Sequence, residues 1–273
     1  AEQKRIVAKI EELLPYIDRY EQAWSKLEQF NSRFPEDMKK SLLQYAIQGK
    51  LVEQRPEEGT AEELFAQIQV EKQRLIKAGK IKKEKPLPEI TDDEKPFELP
   101  ESWMWVRLGF LTELITSGSR DWAKYYSDNG DIFLRMGNLS KNSFDLRLDK
   151  VQRVTLPENT EGKRTALRPG DLLFSITGDV GMLGLIPDNF GPAFINQHTA
   201  MLRFMPSEKN RYIPYLLLTD YAQKFYNGNQ HGIKNSFRLD SIALLPVSLP
   251  PLAEQKRIVE KLEQLLPLCE RLK

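Results

Sequence analysis

Ala1-Glu2-Gln3-Lys4-Arg5-Ile6-Val7 returns as Ala253-Glu254-Gln255-Lys256-Arg257-Ile258-Val259, the same seven residues 252 positions later. The likeness runs on through Lys9-Ile10-Glu11-Glu12-Leu13-Leu14-Pro15, matched by Lys261-Leu262-Glu263-Gln264-Leu265-Leu266-Pro267. A solenoid unit is about 20–50 residues long, so this is not a solenoid. A connector repeated on either side of a module fits better. The chain reads as helix, module, helix.

Outward from the first copy, the apolar residues are Ile6, Ile10, Leu13, Ile17, Tyr20, Trp24 and Leu27. They alternate steps of four and three, the heptad seam of a helix that supercoils on a partner. The seam continues through Asn31, a polar residue that sets register at some loss of stability, to Phe34 and Met38. The second copy repeats it with Ile258, Leu262, Leu265 and Cys269, where the cysteine replaces an isoleucine as a small core hydrophobe. Pro15 and Pro267 each remove a backbone donor inside these helices, so kinks are expected there. Past Phe34-Pro35 a second helical stretch is expected over 36–48, capped by Gly49. A further helix opens at Thr60, with Glu63 completing a capping box, and stops at Gly79. Residues 80–100 carry Lys80, Lys82, Lys83 and Lys85 and then four prolines, and read as a solvated, semi-rigid linker.

From Trp103 to Pro250 the texture changes. Strands are expected over 131–136, 151–156, 171–177, 182–186 and 193–205, and helices over 108–115 and 212–226. Residues 236–250 alternate apolar positions. Gly178, Gly181 and Gly184 lie between two strands and read as a hairpin turn, not as a dinucleotide fingerprint. The fold class is α+β: a globular module with a mixed or antiparallel sheet, joined to long coiled-coil-forming helices. The divisions are a spacer helix region at 1–55, a helical extension and linker at 56–100, the module at 101–250 and a second spacer helix from 251 to 273.

Composition narrows the function. Forty basic groups face 39 acidic ones, so no overall field announces a polyanion. A single cysteine leaves no internal disulfide and fits a reducing cytoplasm. Two histidines, His198 and His231, do not make an ordinary zinc site. There is no apolar run of membrane-spanning length. No phosphate-binding loop and no nucleophile elbow occurs, so no catalytic residue and no metal ligand is assigned. What remains is a set of polar and aromatic residues in loops: Ser119, Arg120, Trp122, Lys124, Tyr125, Arg135, Asn138, Thr177, His198, Lys234 and Asn235. Arginine, lysine and asparagine pair with base edges, and serine, threonine and lysine suit phosphates. These eleven are the candidate DNA contacts.

The chain also resembles a known family. Leu249-Pro250-Pro251-Leu252-Ala253-Glu254-Gln255-Lys256-Arg257-Ile258-Val259 is similar to the junction motif of specificity (S) subunits of type I restriction–modification systems. So are Leu167-Arg168-Pro169-Gly170-Asp171-Leu172-Leu173-Phe174, Gln48-Gly49-Lys50-Leu51-Val52 and the module start Leu99-Pro100-Glu101-Ser102-Trp103. The resemblance implies a non-catalytic subunit that normally carries two target recognition domains, each followed by a spacer helix. The helices pair antiparallel, and each domain reads one half of a bipartite double-stranded DNA target. Modification (M) subunits dock on the helices and methylate adenine with S-adenosylmethionine, which they and not the S subunit bind. Restriction (R) subunits join for cleavage. This chain has one such module, which reads as the C-terminal half of an S subunit or as a half-length one, extending toward its N-terminus or dimerising through its helices. Between residues 97 and 250 there are 17 Lys plus Arg against 16 Asp plus Glu, so weak DNA binding by the chain alone is expected. The rival readings are a coiled-coil adaptor without DNA specificity and the specificity region of a fused single-chain restriction enzyme.

Overall fold

The structure is a computed structural model that describes residues 1–83, 85–157, 165–232 and 236–272. It is an α+β fold in which one helix stands largely outside the body. Helix α1 spans Glu2–Ile47 without interruption, with Pro15 and Pro35 inside it. The expected break after Phe34-Pro35 is therefore corrected: 36–48 continues the same helix. A proline removes one hydrogen bond of the ladder, and the turns on either side retain theirs. Residues 1–34 are exposed throughout, and burial begins at Pro35 with Leu43, Ala46 and Ile47. Gly49 closes the helix in the left-handed region, φ 69°. There its N–H reaches the Ala46 carbonyl and the Lys50 N–H the Tyr45 carbonyl.

Helix α2, Ala61–Lys77, opens on the expected capping box. The Glu63 N–H donates to Thr60 Oγ1 at 3.3 Å, and the Thr60 N–H to Glu63 Oε2 at 3.1 Å. The following segment departs from the expected solvated linker. Arg107, almost fully buried, donates to the carbonyls of Pro88 at 3.1 Å and Glu89 at 2.8 Å. It also grips Glu94 bidentately at 2.6 and 2.7 Å. The guanidinium holds the Glu94 carboxyl down at about 2. Phe97 packs against Trp105 in a tilted arrangement, 5.0 Å between ring centres. Backbone carbonyls and one acid thus tie the segment to the module, while Lys80, Lys82, Lys83 and Lys85 stay exposed.

The module is closed at its ends by β1, Met104–Arg107, paired antiparallel with β10, Pro246–Leu249. Between them lie β2 (Thr112–Ser117), β3 (Tyr126–Ser127), β4 (Asp131–Leu134), β5 (Gln152–Val154), β6 (Leu172–Ser175), β7 (Leu183–Leu185), β8 (Ala193–Ile195) and β9 (Thr199–Phe204). One sheet has the order β2-β9-β6-β7 and is antiparallel; the other is β3-β5-β4-β8, with β4 and β8 parallel. Single bridges, Ser119 to Asn196 and Ser140 to Leu183, tie the two together. The motif around Asp171 forms the turn into β6. Its carboxylate takes the Arg168 N–H at 2.7 Å and a buried bidentate pair with Arg203 at 2.6 and 2.8 Å.

Three sequence expectations change here. Residues 108–115 are not a helix but a 3-10 turn, Leu108–Leu111, running into β2, where Ile115 and Thr116 suit a pleated strand. The run 193–205 is two strands in different sheets, broken at Asn196–His198. The run 212–226 is two helices, α3 (Tyr212–Leu217) and α4 (Asp220–Gly228), because the Thr219 hydroxyl caps the second by accepting the Ala222 N–H at 3.2 Å. Helix α5, Leu239–Leu244, precedes β10 in the stretch read as alternating.

Helix α6, Leu252–Glu270, carries the second copy of the repeat and continues through Pro267. Its first turns lie beside residues just past the end of α1. Gln54 Nε2 and Trp103 Nε1 donate to Glu254 at 2.6 and 2.9 Å, and Arg257 clasps Glu58 at 2.7 Å. Farther along, Leu266 and Glu270 share a cavity with Lys39, so α6 runs back along α1. Ile258 and Leu262 are 0% exposed, whereas their counterparts Ile6 and Ile10 are 54% and 51% exposed. Ile6, Ile10, Leu13, Ile17, Tyr20, Trp24 and Leu27 all lie open along α1, and Leu265 is half-buried.

Candidate nucleic-acid interface

Four of the sequence-predicted residues converge although 63 positions separate the first from the last. Arg135, Asn138, Thr177 and His198 line one open cleft of about 1060 Å³, together with Met136, Gly137, Lys150, Gly178, Asp179 and Asn196. The cleft lies where β4, β6 and β8 end. Arg135 follows β4, Thr177 follows β6, and Asn196 and His198 form the turn between β8 and β9.

Local chemistry fixes these loops. Asn196 Oδ1 accepts the His198 N–H at 3.1 Å and the Thr199 hydroxyl at 3.2 Å, which sets the turn. The Gln197 amide nitrogen donates to His198 Nε2 at 2.9 Å, which leaves the Nδ1–H of the ring to donate to Thr177 Oγ1, also at 2.9 Å. His198 is exposed at the cleft, and both of its ring nitrogens are hydrogen-bonded within the protein, which fixes the orientation of the ring. The guanidinium of Arg135 is exposed beside it.

Asn138 is different. It is 3% exposed, and its Oδ1 accepts the Arg135 N–H at 3.0 Å. Its amide nitrogen donates to the carbonyls of Arg147 at 2.8 Å and Lys150 at 3.1 Å. With these bonds made, Asn138 braces the cleft wall instead of reading bases. It also explains Lys150, which sequence reading missed: the Asn138 amide holds the Lys150 backbone at the cleft.

The loop after β2 reaches the same region. Gly118 donates its N–H to the Asn196 carbonyl at 3.1 Å, and a Cβ there would stand 2.0 Å from the Ile195 carbonyl oxygen. Only glycine permits that approach, which brings Ser119 into its bridge with Asn196 and leaves Arg120 exposed beside it. Trp122 is a correction. Its ring is 5% exposed and packs on Phe133 at 4.8 Å and Phe194 at 5.5 Å, so it is core. An indole flanked by Arg120 and Lys124 reads as a nucleic-acid platform, and only the position of β4 and β8 shows that it turns inward. Lys124 lies over the Tyr125 ring at 5.0 Å, and neither residue lines the cleft. Lys234 and Asn235 lie outside the described residues.

Where the module meets α6, ionisable groups are buried together. Glu208 is 0% exposed and neither of its oxygens has a well-formed hydrogen bond. Burial pushes its carboxyl up to about 7, and the neighbouring Gln255 and Ser207 side chains offset only part of that. Burial also raises Glu254, against the Trp103 and Gln54 hydrogen bonds. Gln255 donates to the Pro250 carbonyl at 3.1 Å and accepts from Asn210 at 2.6 Å. These contacts set the module on its helices. Among the described residues no helix is long and apolar enough to cross a membrane.

The structure is thus a paired-sheet module set on repeated helices, with a polar cleft where three strands end. A family profile described as the type I restriction modification DNA specificity domain matches residues 100–272. The specificity subunit of the type I restriction enzyme EcoEI from Escherichia coli is 29% identical over 268 residues, covering 92% of this chain and 44% of that protein. The EcoAI specificity subunit, also from E. coli, is 30% identical over 270 residues, covering 94% and 45%. The fold is similar to that of the HsdS subunit from Thermoanaerobacter tengcongensis, with a TM-score of 0.53 at 22% identity over 99% of this chain and 52% of that one. A chain from a study of complex assembly and conformational transition of the type I R-M system gives the same score and identity over 100% and 53%. The chain belongs to the type I restriction–modification DNA specificity family. It spans about half the length of the relatives it matches.

Proposed function

We propose that the chain is a non-catalytic specificity subunit that reads one half of a bipartite DNA target through the cleft between β4, β6 and β8. The observation that carries this is the convergence of Arg135, Lys150, Thr177, Asn196 and His198 on one open surface. Arginine pairs with guanine edges, and lysine and threonine with phosphates. Ser119 and Arg120 extend the surface at its rim, and Lys124 and Tyr125 stand farther along the same loop. The near-neutral module makes phosphate neutralisation a minor source of affinity, so the chain alone binds DNA weakly.

The bare part of α1 is the spacer and docking rail. At 1.5 Å per residue, 34 residues span roughly 50 Å, more than one DNA turn of about 34 Å. The heptad seam from Ile6 to Leu27 pairs with another helix, either of M subunits or of a second copy in a self-dimer. M subunits bring S-adenosylmethionine and the adenine chemistry, R subunits bring cleavage, and the assembly works in the cytoplasm. The test is Arg135→Ala in the assembled methyltransferase, with the methylation rate measured on cognate and single-substituted duplexes. Discrimination at one position falls if the cleft reads bases. An unchanged rate and an unchanged profile would remove the cleft from recognition.

A further inference from the structure

The cleft holds one carboxylate that the reading above does not use. Asp179 lies at the tip of the β6–β7 turn, exposed, and among the described residues it makes no ion pair with Arg135 or Lys150 of the same cleft. The turn beneath it is rigid. Ser175, fully buried, donates its hydroxyl to the Asp179 carbonyl and accepts the Met182 N–H at 2.8 Å. The Gly181 N–H reaches the Ser175 carbonyl at 3.1 Å. Gly178 and Gly181 have φ of 70° and 90°, and a Cβ on Gly181 would meet the Tyr226 ring at 2.8 Å, so the turn rests on a buried aromatic. Val180 and Met182 are buried on either side. The backbone that carries the Asp179 carboxylate is thereby fixed at the cleft.

Facing phosphate, such a group weakens binding to every sequence alike. Facing a base edge, it selects. It accepts from an exocyclic amino group and is repelled by the N7, O6 and O4 acceptors of the major groove. Adenine presents its amino group beside N7, whereas cytosine presents N4 alone. We infer that Asp179 is a specificity-determining residue that reads one cytosine of the target through its N4 amino group. The inference rests on the cleft being the DNA-reading surface.

The test uses the full chain assembled with its methyltransferase subunits and a duplex set in which each target position is varied in turn. Asp179→Asn is expected to lose about tenfold discrimination at one cytosine position, with the other positions and the salt dependence of binding unchanged. Three results overturn the inference: unchanged discrimination everywhere, a change confined to a position held by another base, or a uniform gain in binding across all sequences. Arg135→Ala run in parallel separates the two levels. If it too changes nothing, the cleft is not the reading surface. If it alters methylation while Asp179→Asn does not, only the role of Asp179 fails.

Discussion

Glu208→Gln should stabilise the protein above neutral pH and leave it nearly unchanged in acid. Glu208 sits on the 3-10 turn Pro206–Glu208, fully buried against the start of α6, and its carboxyl is raised from 4.5 to about 7. In the unfolded chain the group loses its proton near 4.5, and in the folded chain only near 7. Between these values the folded state binds more protons, so stability falls as pH rises from 4.5 to 7 and then levels off. At 1.36 kcal/mol per pKa unit the loss is about 3 kcal/mol. Glutamine keeps the shape and cannot ionise, so that loss disappears. For a chain of this size about 3 kcal/mol corresponds to roughly 6–12 °C in Tm. Thermal melts of wild type and variant at pH 5 and pH 8 read it directly. The two Tm values should nearly coincide at pH 5, with the variant higher at pH 8. Parallel pH profiles, or a variant less stable at pH 8, would show that the carboxylate is solvated or paired and refute the reasoning.

The repeat offers an internal control. Ile258→Ala removes a fully buried side chain and should cost about 2–5 kcal/mol in urea denaturation, while Ile6→Ala, the same residue in the same motif, should leave the isolated chain unchanged. Trp122→Ala should cost about 3–5 kcal/mol, because the ring fills the space between Phe133 and Phe194; a stable variant with altered DNA specificity would return Trp122 to the interface. Asn138→Ala strands one N–H and two carbonyls and should destabilise by about 1–3 kcal/mol, read as a lower urea midpoint at constant m.

These residues also show what the sequence could and could not reveal. The Thr60–Glu63 box, β4 to β7 and the Gly178–Gly181 turn were legible because their signals are local: a cap four residues long, an alternation, a glycine punctuation. The two copies of the repeat are indistinguishable as sequence, yet one is buried and one is bare, since burial depends on which surface the fold brings alongside. The linker looked solvated because the partner that holds it, Arg107, lies in the following strand. Trp122 and Asn138 have the chemistry of DNA contacts, and only the packing of β8 and the return of the chain at Arg147–Lys150 turn them into structural residues. Arg135, Thr177 and His198 were singled out by residue type, and their convergence rests on β-strand pairings that no short window contains.

The central claim is that this cleft chooses the DNA sequence. Mapping methylated adenines across the genome of cells that carry the full chain with its methyltransferase subunits tests it most directly, comparing wild type with an Arg135→Ala, Lys150→Ala double variant. One discrete methylated motif is expected in wild type, and loss or relaxation of that motif in the variant at unchanged protein level. The same motif methylated to the same extent in both would contradict it.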